Sequence, residues 1–156
     1  MELTKTQKDL KEAIVAHLLQ VKQEALDELM QLQSTDEGEA QAEQEDHSNL
    51  YEEGKLDQVR NRIEARAKVA DAHAREINLL KGIHTIEPTE EIQMGDVVHT
   101  DQGKFFVAVP AGEFTVKGET YRGISTDSPL FRALLGKQDG DKVTVNGNEF
   151  TLKKSF

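Results

Sequence analysis

The sequence predicts an α+β protein in which a long antiparallel helical hairpin precedes a small domain of short strands and one short helix. Three observations carry that reading. Apolar residues recur at steps of three and four through most of the first half. Beyond residue 84 the chain turns to short runs rich in Val, Phe and Thr, separated by turn residues. The composition shifts at the same place: Pro88, Pro110 and Pro129 and all six phenylalanines come after it, whereas of the 11 glycines only Gly38, Gly54 and Gly82 come before. The expected domains are therefore residues 1–83 and 84–156.

The first helix follows from Leu10, Ile14, Leu18, Val21, Ala25, Leu29 and Leu32, an apolar stripe with Thr4 placed to cap its start. A second stripe runs through Leu56, Val59, Ile63, Ala67, Ala70, Ala74, Ile77 and Leu80, with Gly82 just beyond it. A single helix cannot bury its own stripe, so the two are expected to bury each other as an αα-hairpin, with arms of roughly 40 Å. The midpoint of Lys5 and Leu80 falls near residue 42, which predicts the reversal inside Asp36–Asp46. That stretch lies in a region between Lys22 and Lys55 that has no lysine or arginine, and it carries Asp36, Glu37, Glu39, Glu43, Glu45 and Asp46. An acidic tip of this kind suits a divalent cation or a basic partner.

In the second half, Val97-Val98 and Phe105–Val109 flank a polar turn at 101–104, and Phe114–Val116 and Tyr121–Ser125 continue the strands. Val143–Val145 and Phe150–Leu152 bracket Asn146-Gly147, a two-residue hairpin turn that needs φ > 0 at both positions. Ser128 is the expected cap and Pro129 the first residue of a helix whose body is Leu130–Leu135, ended by Gly136. The core is expected at Phe105, Val107, Phe114, Ile124, Leu130, Leu134, Leu135, Val143, Val145 and Phe150.

Several function classes are disfavoured. A net charge of −10 argues against duplex DNA as a partner by itself, because phosphate binding draws on surplus Lys and Arg. The absence of cysteine removes thiol chemistry and thiolate metal sites. His17, His47, His73, His84 and His99 lack ligand spacing. Nothing resembles a membrane span or signal peptide, so no membrane association and a cytoplasmic location are expected. Gly136-Lys137 and Gly140-Asp141 lack the rest of a phosphate-loop motif and read as turns.

The stretch Gly123–Val145 matches I-S-x-x-S-P-L-x-x-A-L-L-G-K-x-x-G-D-x-V-x-V at every fixed position. This resembles the C-terminal signature of the GreA/GreB family of transcript cleavage factors. The resemblance implies an FKBP-like α+β domain after a coiled-coil hairpin, and RNA polymerase as partner. It implies a factor that is not itself an enzyme and has no cofactor of its own. In that family the C-terminal domain docks at the polymerase secondary channel, which here points to Asp127, Ser128, Pro129 and Arg132. Tip acids help hold a transient Mg²⁺ of the polymerase active site, here Glu43, Glu45 and Asp46. Arg60, Arg62 and Arg66, with Lys68 near them, would neutralise phosphates at the nascent RNA 3′ end; the alternative is surface pairing with Glu53 and Glu64. The family's tip motif G-D-L-S-E-N-A-E-Y is absent, and alignment on Ala67–His73 places Gln41 and Gln44 near its two acids. Stimulation of cleavage, non-cleaving regulation or inhibition of polymerase, and an FKBP-like protein-interaction module all remain open readings.

Overall fold

A computed structural model describes residues 2–45 and 52–156, with side chains described at 2–32 and 56–156. Helix α1 spans Lys5–Glu45 and α2 spans Glu52–Gly82; the second half holds β1 (Val97–Thr100), β2 (Gly103–Ala108), β3 (Ala111–Val116), β4 (Glu119–Ser125), α3 (Pro129–Leu134), β5 (Lys142–Val145) and β6 (Asn148–Ser155). The chain is thus a helical hairpin followed by a small sheet domain, as the sequence predicts. It forms two compact units, one of Met1–Leu19 with Asn78–Phe156 and the other of Gln20–Ile77.

In the first unit, Thr4 starts α1 with a reciprocal cap. Its hydroxyl accepts from the Gln7 N–H at 3.1 Å, and Gln7 Oε1 accepts from the Thr4 N–H at 3.0 Å. The sheet order is β3-β4-β2-β1-β6-β5, antiparallel throughout except for the parallel pair β2–β4. Both sheet faces are covered. Val97, Phe106 and Ala108 pack with Ile14 and Leu18 of α1 and with Leu80 and Ile83 on one face. Val98, Phe105 and Val107 pack with Ile92 and with Phe131 and Leu134 of α3 on the other. This explains why Phe105–Val109 is an unbroken apolar run instead of an alternating one. Each such side chain, fully buried, contributes roughly 1.5–3 kcal/mol.

Several core expectations need correction. Leu135 is 58% exposed, and Leu130, Val145 and Phe150 are only half-buried. Helix α3 stops at Leu134; Leu135 leaves it at φ −56°, ψ 125° and Gly136 takes φ +77°, so the buried place falls to Phe131. Gly82 is the last residue of α2. It keeps right-handed geometry (φ −95°, ψ −6°) and leads into a 3₁₀ turn at Ile83–Thr85.

In the second unit the helices pair antiparallel. Lys22 Nζ lies 2.9 Å from Glu76 Oε2, and Arg66 Nη1 donates to the Leu32 carbonyl at 3.4 Å. The residue numbers in each pair total 98, so the two helices do not pair about residue 42. The acids Asp36–Glu45 therefore belong to α1 and not to the reversal. Ala40, Gln41, Ala42 and the glutamates are strong helix formers and carry the helix on without an apolar stripe. The seam also differs from the predicted stripe. Val21 is 43% exposed, while Lys22, one helical turn after Leu18, is buried.

Candidate functional site

The signature segment Gly123–Val145 folds as a strand end, a capped helical turn and two glycine turns. Ser128 Oγ accepts from the Phe131 N–H at 3.1 Å, and Pro129 occupies the first turn of α3. Gly136 and Gly140 take φ of +77° and +92°. Asp141 Oδ2 accepts from the Gln138 N–H at 2.9 Å, closing the turn before β5. Gly123 has a different reason to be small. A Cβ there would sit 2.6 Å from the Val109 carbonyl and 2.7 Å from the Ala111 Cβ, where β3 shifts register against β4.

Of the expected partner-binding residues, Ser128 and Pro129 build α3, and the hydroxyl of Ser128 is engaged in the cap. Asp127 and Arg132 are exposed beside them. Leu135 joins this exposed set at the other end of the helix, a place that sequence reasoning gave to the core.

The basic residues of α2 are not one stripe. At 100° per residue, Arg62 and Arg66 lie within about 40° of each other, whereas Arg60 lies well over 100° from both. Arg66 is half-buried at the seam and reaches Leu32, while the exposed Arg60 lies 4.0 Å from Asp57 on its own helix. The tip assignments cannot be placed in the same way. Glu43 and Glu45 are in the last turn of α1, and their side chains, like the whole of Asp46, lie outside the described residues. Among the described residues no group of three His, Asp or Glu side chains is arranged to hold a metal ion. No helix among them is long and apolar enough to cross a membrane.

Sequence reasoning missed a buried carboxylate in the first unit. Asp96 is 1% exposed, accepts from the Gln93 N–H at 3.1 Å, and faces Lys11 Nζ at 3.8 Å. Burial pushes its carboxyl up to about 6, against the opposing pull of Lys11 and the Gln93 N–H; Asp139 nearby pushes the same way as burial. Burial also holds the Lys11 ammonium below its ordinary value, with Asp96 opposing. Both partners thus report that desolvation outweighs their attraction. Only the approach of α1 to the start of β1 reveals this pair, since 85 positions in the sequence separate its members.

The same unit carries a groove of about 1160 Å³ along the base of α1 and residues 80–88, with Leu3, Val15, Leu19 and Ile86 among its apolar lining. Lys8 and Lys81 at the groove are offset by Glu12 and Glu87, so its charge selects neither anion nor cation. The exposed end of α3 and the hairpin tip remain the stronger candidates.

No family model matches the chain. The chain is similar to the transcription elongation factor GreA of Geobacillus kaustophilus (strain HTA426), at 35% identity over 86 residues that cover 49% of this chain and 53% of that protein. The same identity and coverage hold for the transcription elongation factor GreA of Bacillus licheniformis (strain ATCC 14580 / DSM 13). The chain spans about half the length of the curated relatives it matches.

Proposed function

We propose that this protein is a GreA-like transcription elongation factor that works by binding RNA polymerase and has no active site of its own. The observation that carries the reading is the 35% identity to two proteins named as GreA. The helical hairpin and small sheet domain support it, as does the folding of the signature segment into a capped turn that leaves Asp127, Arg132 and Leu135 exposed. In this reading the exposed end of α3 docks on the polymerase, and the hairpin carries its acids into the secondary channel.

Carboxylates are the hard oxygen donors that Mg²⁺ takes, and the metal needs only one or two of them from any one protein. Glu43, Glu45 and Asp46 are the residues of this chain that would help hold the polymerase's ion. When bound in a two-metal site, such an ion lowers the pKa of attacking water and neutralises the scissile phosphate. Of Arg60, Arg62 and Arg66, the exposed Arg60 and Arg62 suit contacts to RNA phosphates better than Arg66, which donates to the Leu32 carbonyl at the seam.

A second reading is a regulator that occupies the channel without promoting cleavage. It is favoured by the absence of G-D-L-S-E-N-A-E-Y and by Gln41 and Gln44 near the places of the family's two acids.

Backtracked elongation complexes separate the two. They are mixed with the wild type or with a variant carrying Glu39→Gln, Glu43→Gln, Glu45→Gln and Asp46→Asn. Mg²⁺-dependent shortening of the RNA, lost in the variant, is the result expected for a cleavage factor. Binding with slowed synthesis and intact RNA selects the regulator. Failure to bind core polymerase overturns both.

A further inference from the structure

We propose that the cross-strand row Lys154, His99 and Lys104, on one face of the sheet, binds a phosphate dianion between its two ammonium groups and the imidazole. His99 of β1 pairs directly with Lys104 of β2 on one side and with Lys154 of β6 on the other. Directly paired residues point to the same face, so three basic side chains stand abreast. Two residues along their strands, Val97, Phe106 and Phe156 belong to one apolar cluster, and the row continues that face beyond it. Neighbouring strands are about 4.8 Å apart, which leaves roughly 10 Å between the two lysine backbones with the imidazole midway. Lysine stems can close inward over such a gap. All of these groups belong to the first unit.

A row of like charges is unfavourable by itself. Among the described residues one carboxylate meets it: the exposed Glu119 pairs with Lys104, whose ammonium also lies 6.0 Å from the Tyr121 ring. Lys154 is exposed and makes no ion pair among the described residues; its ammonium lies 5.7 Å from the Phe156 ring. Lys11, over the same ring at 5.8 Å, is engaged with Asp96. The Phe156 ring meets the His99 imidazole edge-on, with centroids 5.7 Å apart, and so fixes it in the row. His99 Nε2 is enclosed and has no hydrogen-bond partner among the described residues, an unfavourable state for a buried polar atom. Burial, then Lys104 and Lys154, hold the imidazole below its ordinary pKa, with Glu119 opposing. The two ammonium groups and the one carboxylate leave a single positive charge while the imidazole is neutral, and two once it is protonated. A phosphate dianion matches the second state. Its oxygens point in several directions, so it can accept from Lys154, Lys104 and Nε2–H together. The two coplanar oxygens of a carboxylate cannot, and Glu119 already takes that place beside Lys104. The flexible lysine stems can move aside for an oxygen to reach Nε2. By linkage, bound phosphate and the proton on His99 strengthen each other.

The test follows the imidazole signals of the full-length chain by NMR as the pH is varied, in inorganic phosphate or in sodium chloride of the same ionic strength. Phosphate is expected to raise the His99 midpoint by about one pH unit over chloride, a tenfold preference for the protonated ring. His17 and His84 of the same unit should move much less. Lys154→Gln should remove most of that rise and Lys154→Arg should keep it. Lys154 is exposed, so both variants are expected to fold, which their amide spectra would show. Adenosine monophosphate, with adenosine as its control, separates the sources of the phosphate. Saturation at a lower concentration than inorganic phosphate, with adenosine inert, marks a nucleotide-type monoester; equal or weaker saturation marks free phosphate. Either outcome supports the site. A His99 midpoint that is the same in phosphate and chloride would overturn the proposal. So would an equal rise with acetate, because any carboxylate would then serve, or an undiminished rise in Lys154→Gln.

Discussion

Replacing Asp96 by Asn tests whether burial or ion pairing governs the carboxylate beneath the base of α1. The side chain is 1% exposed and 3.8 Å from Lys11, and burial lifts its carboxyl from 3.8 to about 6. The folded protein therefore holds the proton more tightly than the unfolded chain. The favourable contribution is complete below the unfolded value, and it is lost as the pH rises through the folded one. From pH 7.5 down to pH 5 the wild type should gain about 1.4 kcal/mol from this group alone. Asn keeps an oxygen for the Gln93 N–H and does not titrate. The difference in melting temperature, wild type minus Asp96→Asn, should therefore rise by about 3–6 °C over that interval for a chain of this size. Carboxylates elsewhere titrate in both proteins and largely cancel. Calorimetry or thermal circular dichroism at several pH values gives the difference. A flat difference would refute the claim that the carboxyl is raised, and a difference that falls with acidification would show that Lys11 dominates over burial.

Three further changes probe the signature segment and the core. Ser128→Ala removes the acceptor of the Phe131 N–H and should cost about 1 kcal/mol in urea denaturation, most of it recovered by Ser128→Asn. Gly123→Ala drives a Cβ against the Val109 carbonyl and the Ala111 Cβ. It should cost about 1–3 kcal/mol, with amide shift changes concentrated where β3 meets β4. Phe131→Ala should cost about 3–5 kcal/mol, whereas Leu135→Ala, at a 58% exposed position, should stay within about 0.5 kcal/mol. Equal losses at Phe131 and Leu135 would mean that α3 continues through Leu135 as the sequence pattern suggests.

What the sequence revealed depended on how far apart the interacting residues lie. Asn146 and Gly147 take φ of +51° and +81°, and Ser128 caps α3, because each signal is complete within a few residues. The strands were legible for the same reason. The seam was less so. Lys22 reads as a surface charge until Glu76, 54 positions away, supplies its partner. The midpoint of Lys5 and Leu80 misplaces the reversal, because Ala, Glu and Gln sustain α1 without an apolar stripe as far as Glu45. Leu135 is exposed and Phe131 buried because a short helix can present several apolar residues, and the exit geometry at Leu135 decides which one faces the sheet.

The same distinction bears on what the signature segment can carry. Ser128, Pro129, Gly136, Gly140 and Asp141 are each accounted for by a cap, a first-turn proline, a left-handed turn or a closed turn. They are solutions to backbone problems, so a match to them argues for this turn-helix-turn more directly than for any chemistry. Chemistry has to come from side chains that the fold leaves unused. In the signature segment Asp127, Arg132 and Leu135 are exposed. Under the proposed reading the acids at the end of α1 are another source. On that same reading, whether this chain promotes cleavage or only occupies the polymerase turns on Glu43, Glu45 and Asp46, which makes neutralising those acids the deciding experiment.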